Sequence, residues 1–366
     1  MSLKADIITK IAKHERIRFL AKFLKNFNNM EFIKDVNNLY NNRTLYKIVQ
    51  KGDKEKGKVL YLINEKYAYY GFCAILREVI EGCMVADELG FYPVVSMTEN
   101  SPYAEKKGFL GKDNPWECYF EQPAGIDMNT YNQGFRTTSM SRDDLAMLAE
   151  RYNNDGYRLS KEYFEDTGKI WRKYIRIRKE LELELQSKID GIFDKGVKIL
   201  GVQARGTDFN KGYYNHPKPI LPEDYFEQID KIIDKYDFIF LATEDNNNLE
   251  KFITKYGKKL IYHKDVKRSS TFDNPIHVKD SNYLEKDNPK YSLAKDVMID
   301  MMSLSQCTGI ITGMSQVSIC ARIWKYAKRE FFDDDVIMDK GIFSDKRHSV
   351  SIAEGIKNDG TKFEGW

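Results

Sequence analysis

Apolar positions along this chain follow two alternating rhythms. Short unbroken apolar runs, KVLYLI at 58–63 and FYPVVSM at 91–97, flank CAILREVIEGCMVADELG, where apolar residues recur at helical spacing up to Gly90. An unbroken run bounded by turn residues reads as a strand buried on both faces, and the 3.6-residue recurrence reads as a helix. With the turn YAYYGF between the first strand and the helix, this is strand, turn, helix, strand, the opening of an α/β layer. Beyond residue 196 the alternation is clearer. VKILGVQ, DFIFLAT, KLIYH and GIITG read as strands, and DYFEQIDKIIDKY, NNLEKFITKYG, LAKDVMIDMMSLSQC and SQVSICARIWKYAK as the helices that follow them. Such an alternation specifies a mostly parallel sheet covered on both faces, with ligands beyond the carboxyl ends of its strands. The residues after VKILGVQ, DFIFLAT and GIITG are therefore expected to converge. Between the two blocks, residues 101–160 are rich in Asn, Gly and Tyr and read as long loops with short helices. Residues 161–193 read as one helix, with Trp171, Ile175, Leu181, Leu185, Ile189 and Ile192 apolar and Gly196 past its end.

Residues 1–50 carry Ile7, Ile8, Ile11, Ile17, Leu20 and Phe23 at helix-like spacing between Lys and Arg. Such a stripe reads either as a helix docked on the body of the protein or as a basic helix resting on an anionic membrane. The expected organisation is a basic helical segment at 1–50, a first α/β domain at 51–195, a second, nucleotide-binding α/β domain at 196–345 and a tail at 346–366. A length of 366 residues agrees with two domains. The net charge of +3, from 58 basic and 55 acidic residues, argues against wholesale nucleic-acid binding. Five cysteines without a CxxC pair argue against a disulfide framework and read as small buried hydrophobes in a reducing compartment. The N-terminus lacks the apolar core of a secretory signal, and no stretch approaches the ~20 apolar residues of a spanning helix. A soluble cytoplasmic protein is expected, with peripheral contact at the inner membrane face as the role left open for the basic helix.

Two segments imitate known chemistry. GDKEKGK at 52–58 has the glycine spacing of a phosphate loop, but Val59 stands where a Ser or Thr must reach magnesium, and the segment precedes a strand. Asp333, Asp334 and Asp335 match the carboxylates of magnesium-dependent sugar transferases in type only; lying beyond the last recognisable sheet element, they read as a solvated turn. There is no GxGxxG after a strand and no HExxH, so neither a dinucleotide nor a zinc site is expected.

The informative segments lie at three strand ends. In ILGVQARGTDF, Arg205 follows a buried strand, where its guanidinium either grips a diphosphate or pairs with Asp208; Gly206 would let backbone approach a ligand. In LATEDNNNLEKF, Thr243, Glu244 and Asp245 stand between a strand and a helix, where Asp245 also reads as a simple cap. In DVMIDMMSLSQCTGIITGMSQ, Asp300 is a carboxylate in a mostly apolar helix and needs a partner. The turn 313–316 would hold a phosphate at a helix N-terminus through Ser315 and Gln316, or is an ordinary Ser cap.

Taken together, GVQARGTD, LPEDYF, FIFLATED and DMMSLSQCTGIITGMSQ make residues 198–326 resemble the α1,6-fucosyltransferase superfamily, with a weaker match in YYGFCAILREVIEGCMVADELGFYPVV. The resemblance implies a GT-B architecture, two Rossmann-like α/β domains facing a cleft. It also implies inverting, metal-independent transfer of L-fucose from GDP-fucose to a glycan, with no cofactor beyond the donor. A bacterial surface polysaccharide or lipid-linked oligosaccharide is the expected acceptor. By the same resemblance Arg205 contacts the diphosphate, Asp300 reads guanine, and Ser315 and Gln316 lie near the phosphates. Thr243, Glu244 and Asp245 fall on the family's strand end, and Tyr70, Gly71 and Phe72 on a loop of the first domain facing the same phosphates. Two departures stand out: Gln203 replaces the family's His, which helps hold guanine, and Gly206 replaces its second Arg. The acidic residue that core enzymes carry after their arginine motif has no match, so the general base is open between Asp208 and His216. The alternatives are the same fold with another nucleotide sugar, or a non-catalytic nucleotide- or glycan-binding protein.

Overall fold

The apolar runs form two parallel sheets. The computed structural model describes residues 46–65, 70–152, 156–206, 216–269 and 287–343, with Leu24, Asn28 and Asn29. The chain divides into two compact units, 1–48 and 49–366. Of the first unit, Leu24 is helical and exposed. The amphipathic stripe predicted there, and the tail at 346–366, lie outside the described residues. No helix among the described residues is long and apolar enough to cross a membrane.

In the second unit, β1 (Leu60–Glu65) is flanked by β2 (Tyr92–Met97) and β3 (Thr137–Ser139), all parallel. The crossover from β1 to β2 is α1 (Phe72–Glu88), which buries Ile75, Leu76, Val79, Ile80 and Cys83 and stops where Gly90 takes a φ of +67°. Next come α2 (Arg142–Arg151), α3 (Lys161–Tyr174) and α4 (Lys179–Asp190). The second sheet follows, with β4 (Ile199–Gln203), α5 (Pro222–Asp230), β5 (Phe238–Ala242), α6 (Asn246–Tyr256) and β6 (Leu260–Ile261). It is completed by α7 (Pro289–Gln306), β7 (Gly309–Gly313), α8 (Gln316–Ala327) and β8 (Asp335–Met338). Its order is β6-β5-β4-β7-β8, parallel throughout. The chain steps outward from β4 to β6, then returns to β7 on the other side of β4. In parallel sheets such a reversal is where a ligand crevice is expected, beyond the carboxyl ends of β4 and β7. Both strands are buried along their whole length, which is why their sequences are unbroken apolar runs.

Two expectations change. The stretch 161–193 is two helices, because Ile175 turns extended (φ −96°, ψ 121°) and Ile177 bridges Phe120. Glu121 N donates to Arg176 O and Arg178 N to Tyr119 O. Ile-Arg-Ile-Arg has a two-residue period, and pairing with 119–121 overrides the helical neighbours. The acidic run 333–335 is not beyond the sheet but leads into β8. Asp334 accepts from Tyr236 Oη at 2.6 Å and from Lys235, and Asp335 accepts from Arg322 Nε and Nη2 at 2.9 and 2.7 Å. Beyond those, the helix read in DYFEQIDKIIDKY ends at Asp230 and the strand in KLIYH spans only Leu260–Ile261. All five cysteines are free and buried.

Helix α3 ties the first sheet's layer to the second. The Trp171 and Trp324 rings stack at 5.3 Å, and a Cβ on Gly168 would stand 3.0 Å from the backbone of α8. Arg172 donates to the last carbonyls of α8, Tyr326 and Ala327, at 3.1 Å each. A cation on those orphan carbonyls satisfies them and opposes the negative end of the helix dipole.

Candidate nucleotide-diphosphate site

The crevice is built from strand ends that hold one another. Gln203, the last residue of β4, is 3% exposed, and its Oε1 accepts the Ser315 hydroxyl at 2.7 Å. Its backbone carbonyl accepts Tyr225 Oη at 3.0 Å, and that hydroxyl in turn accepts Gly313 N at 3.2 Å. The carboxyl ends of β4 and β7 are thus fastened twice, once by Gln203 and once by Tyr225. Sequence reasoning counted Gln203 and Gly206 among the donor-binding residues, as departures from a family pattern. The signal was present in a buried amide and a Ser cap at the ends of two strands, but the pairing of those strands is what joins them.

Ser315 caps α8: its Oγ accepts Ser318 N at 3.2 Å while donating to Gln203. Both of its working directions are committed within the protein. What the turn offers an anion is therefore backbone N–H at the start of a helix, reinforced by the helix dipole. The Gln316 Oε1 accepts Arg77 Nη1 at 3.4 Å. Arg77, buried on α1, also donates to Glu81 and Tyr163 at 3.0 and 2.9 Å. Burial works against its charge, but the Glu81 carboxylate and the Tyr163 hydroxyl outweigh it and keep the guanidinium ionised. This residue, hidden in an apolar helix pattern, links the first sheet's helix to the turn after β7.

Arg205 stands two residues past β4 and is partly exposed. Among the described residues its Nε is buried with no hydrogen-bond partner, while the side chain keeps other contacts. The thiol of Cys73, second residue of α1, feels both Arg205 and Asp300, which places the start of α1 beside them. Gly71 caps α1 with an extended backbone and open space where a Cβ would stand. Tyr70 is half-buried. Phe72 is 2% exposed and packs edge-on against Tyr103 and Tyr119, so its ring belongs to the core and only its backbone is near the crevice.

At the end of β5, Thr243 Oγ1 accepts Asp245 N at 3.2 Å, and Asp245 caps α6 through Asn247 N at 2.8 Å. The capping role is real, and Asp245 is 2% exposed. Glu244 accepts Gly206 N at 2.9 Å. The reason for glycine at 206 lies inside the protein: a Cβ there would fall 2.6 Å from Asp245 Cβ and 2.8 Å from its Cγ. Close approach is made by Asp245 rather than by a ligand. Gly206→Ala is expected to lose about 1–3 kcal/mol by overpacking. A melting curve checks it, and an unchanged midpoint would show that Asp245 can swing aside.

Asp300 is partly exposed as a residue, yet its Oδ1 is buried without a hydrogen-bond partner among the described residues. Burial raises its carboxyl to about 8; Arg268 opposes that rise and Asp296, Glu244 and Asp265 add to it. Arg268 was missed in the sequence because KRSS follows a short strand with no motif around it. His263, five residues earlier, is lowered to about 4 by burial and meets Ser303 Oγ at 2.8 Å. His216 lies beside the chain that follows β8, where its carbonyl accepts Phe343 N at 2.9 Å. Asp208 lies outside the described residues. A cavity of about 360 Å³ beside α4 and α7 is lined by Lys188, Asp265, Lys295 and Asp296, shares Asp265 and Asp296 with the surroundings of Asp300, and has Lys188 and Asp265 paired across it. Among the described residues no cluster of His, Cys, Asp and Glu is arranged to hold a metal ion.

The site so assembled has a guanidinium and two helix N-termini beside a buried carboxyl, all at the reversal of a parallel sheet. Solved structures that match the chain include fucosyltransferases. The NodZ α-1,6-fucosyltransferase co-crystallised with GDP is 15% identical over 74% of this chain and 92% of that one, with a TM-score of 0.43. Fucosyltransferase NodZ from Bradyrhizobium is likewise 15% identical, over 74% and 91–92% of the two chains, at 0.41. POFUT1 in complex with GDP-fucose is 9% identical over 78% and 98%, at 0.36. No family model and no curated protein matches the chain.

Proposed function

We propose that this chain is a glycosyltransferase that binds a nucleoside diphosphate sugar, GDP-fucose first among them, and passes the sugar to a glycan hydroxyl with inversion and without a metal ion. The observation that carries this reading is the convergence of Arg205, the Gln203–Ser315 turn, the start of α1 and Asp300 at one sheet reversal. A leaving diphosphate gathers negative charge as the sugar departs. Arg205 and the N–H groups at the start of α8 are placed to stabilise it, with no reorganisation at the moment of reaction. The attacking hydroxyl must lose a proton, and Asp208 or His216 would take it. A glycan precursor in the cytoplasm, reached with or without help from the basic N-terminal segment at a membrane, fits such a donor.

A second reading keeps the fold and changes the base. It is favoured by Gln203, whose Oε1 is given to Ser315 and so does not address a base as a histidine there would. Melting of the protein with GDP, UDP, CDP, ADP or dTDP, each with and without EDTA, tests both. A ligand at 100 times its Kd adds about 2.7 kcal/mol, a shift of several degrees. The expected result is a rise with GDP alone, indifferent to EDTA. A rise with UDP alone would replace the donor, and no rise with any would remove the transferase reading.

A further inference from the structure

Residues 263–269 leave β6 and lie along α7. His263 meets Ser303, and Lys267 N donates to Asp296 at 3.3 Å. Asp296 and Ser303 are four residues before and three after Asp300, so all three share the helix face this segment covers. Its other side is stitched to the end of β5: Ser269 N donates to Glu244 O at 2.8 Å, and Asn246 N to Ser269 O at 2.9 Å. Between these seams sits Arg268, 8% exposed. Its guanidinium is fixed by two carbonyls, Val266 O at 2.9 Å and His263 O at 3.1 Å, and lies 5.2 Å from the Tyr262 ring centre. Among the described residues its Nε is buried with no hydrogen-bond partner, as is Asp300 Oδ1. One orphaned donor and one orphaned acceptor thus border the same ground. Leaving either unmet is costly, and buried polar groups are left so chiefly where something else completes them.

We propose that Arg268 is a positioning residue of the nucleobase subsite. Locked by two backbone carbonyls, it keeps Asp300 an acceptor for a base that offers paired N–H groups, and it presents its own Nε to an acceptor on that base. The inference rests on the proposed function and deepens it. Among the described residues, the groups facing Asp300 are Glu244 after β5, Asp265 and Arg268 after β6, Asp296 on α7, and the Cys73 thiol at the start of α1, which also feels Arg205. Arg268 is the cation that acts on Asp300 most. The three carboxylates and burial favour a protonated Asp300 in the empty site, whereas a base donating two N–H groups needs it ionised. Binding near neutral pH then releases a proton.

The test is titration calorimetry with GDP, IDP and UDP from pH 6.5 to 9, in buffers of different ionisation heat, on wild type, R268M, R268K and D300N. For wild type we expect GDP affinity to rise with pH until about 8, with proton release at pH 7 and weaker binding of IDP, which lacks the 2-amino donor. R268M should bind GDP at least tenfold more weakly at pH 7 and move the rise to higher pH. R268K, keeping the charge, should keep the profile, and D300N should flatten it. A merely structural Arg268 would lower the melting point without moving the pH profile, and that result overturns the proposal. So does wild type that binds GDP with no proton release, a measurement that needs no variant to fold. Wild type that prefers UDP, whose base offers a single N–H, would sink both the donor assignment and the paired contact proposed for Asp300. Wild type that binds no nucleotide would sink both.

Discussion

Arg205→Ala is expected to lower sugar transfer from the preferred donor at least ~100-fold, the usual cost of losing one charge-stabilising donor in a pre-organised site. The residue follows a strand buried on every side, at the reversal of the sheet, with Glu244 on the next backbone N–H and the α8 turn held across from it by Gln203. Its position is therefore set by elements that do not depend on the side chain, and the variant should fold. Arg205→Lys should recover only part of the loss, because an ammonium cannot fork onto two oxygens as a guanidinium does. Single-turnover transfer, or donor hydrolysis, measured beside the melting point of each variant separates chemistry from folding. Transfer within threefold of wild type would remove Arg205 from the site.

Arg322→Met is expected to give the largest loss of stability. Arg322 is 1% exposed and gathers three parts of the second sheet: Asp335 on β8, Thr312 on β7 at 3.1 Å, and the Ser318 carbonyl of α8 at 3.3 Å. Breaking a buried ion pair from one side costs about 3–5 kcal/mol; with Asp335 partly open to water we expect the lower end, a fall in melting temperature of roughly 5–10 °C. A companion Asp335→Asn change should add little once Arg322 is gone, since the two act on one interaction. A drop under 1 °C would mean that β8 is held by its backbone ladder alone.

The strands and helices of the second sheet could be read from periodicity because each carries its own signal: buried strands as apolar runs, helices as 3.6-residue recurrences. The break at Ile175 could not, since its partner, the chain at 119–121, is distant in sequence and flanked by strong helix formers on both sides. β8 was hidden for a similar reason. Its four residues begin with the acidic run, and only the buried Arg322, itself inside an apolar helix pattern, explains a carboxylate there. Near the candidate site, strand ends set off Arg205, Asp245 and Ser315 in the sequence, and an apolar helix sets off Asp300; nothing local sets off Arg77 or Arg268. They sit in ordinary local contexts, and what marks them is burial together with the carbonyl and carboxyl groups that surround them in space.

The crowding at Gly206 bears on how such a site changes over generations. Asp245 fills the volume where any side chain at 206 would begin. While it caps α6 from that position, the door behind it is shut. A larger residue at 206 alone would then be selected against until position 245 had moved first. The two positions are accordingly expected to change in a fixed order, and relatives of this chain should pair glycine at 206 with a capping residue of aspartate's reach at 245.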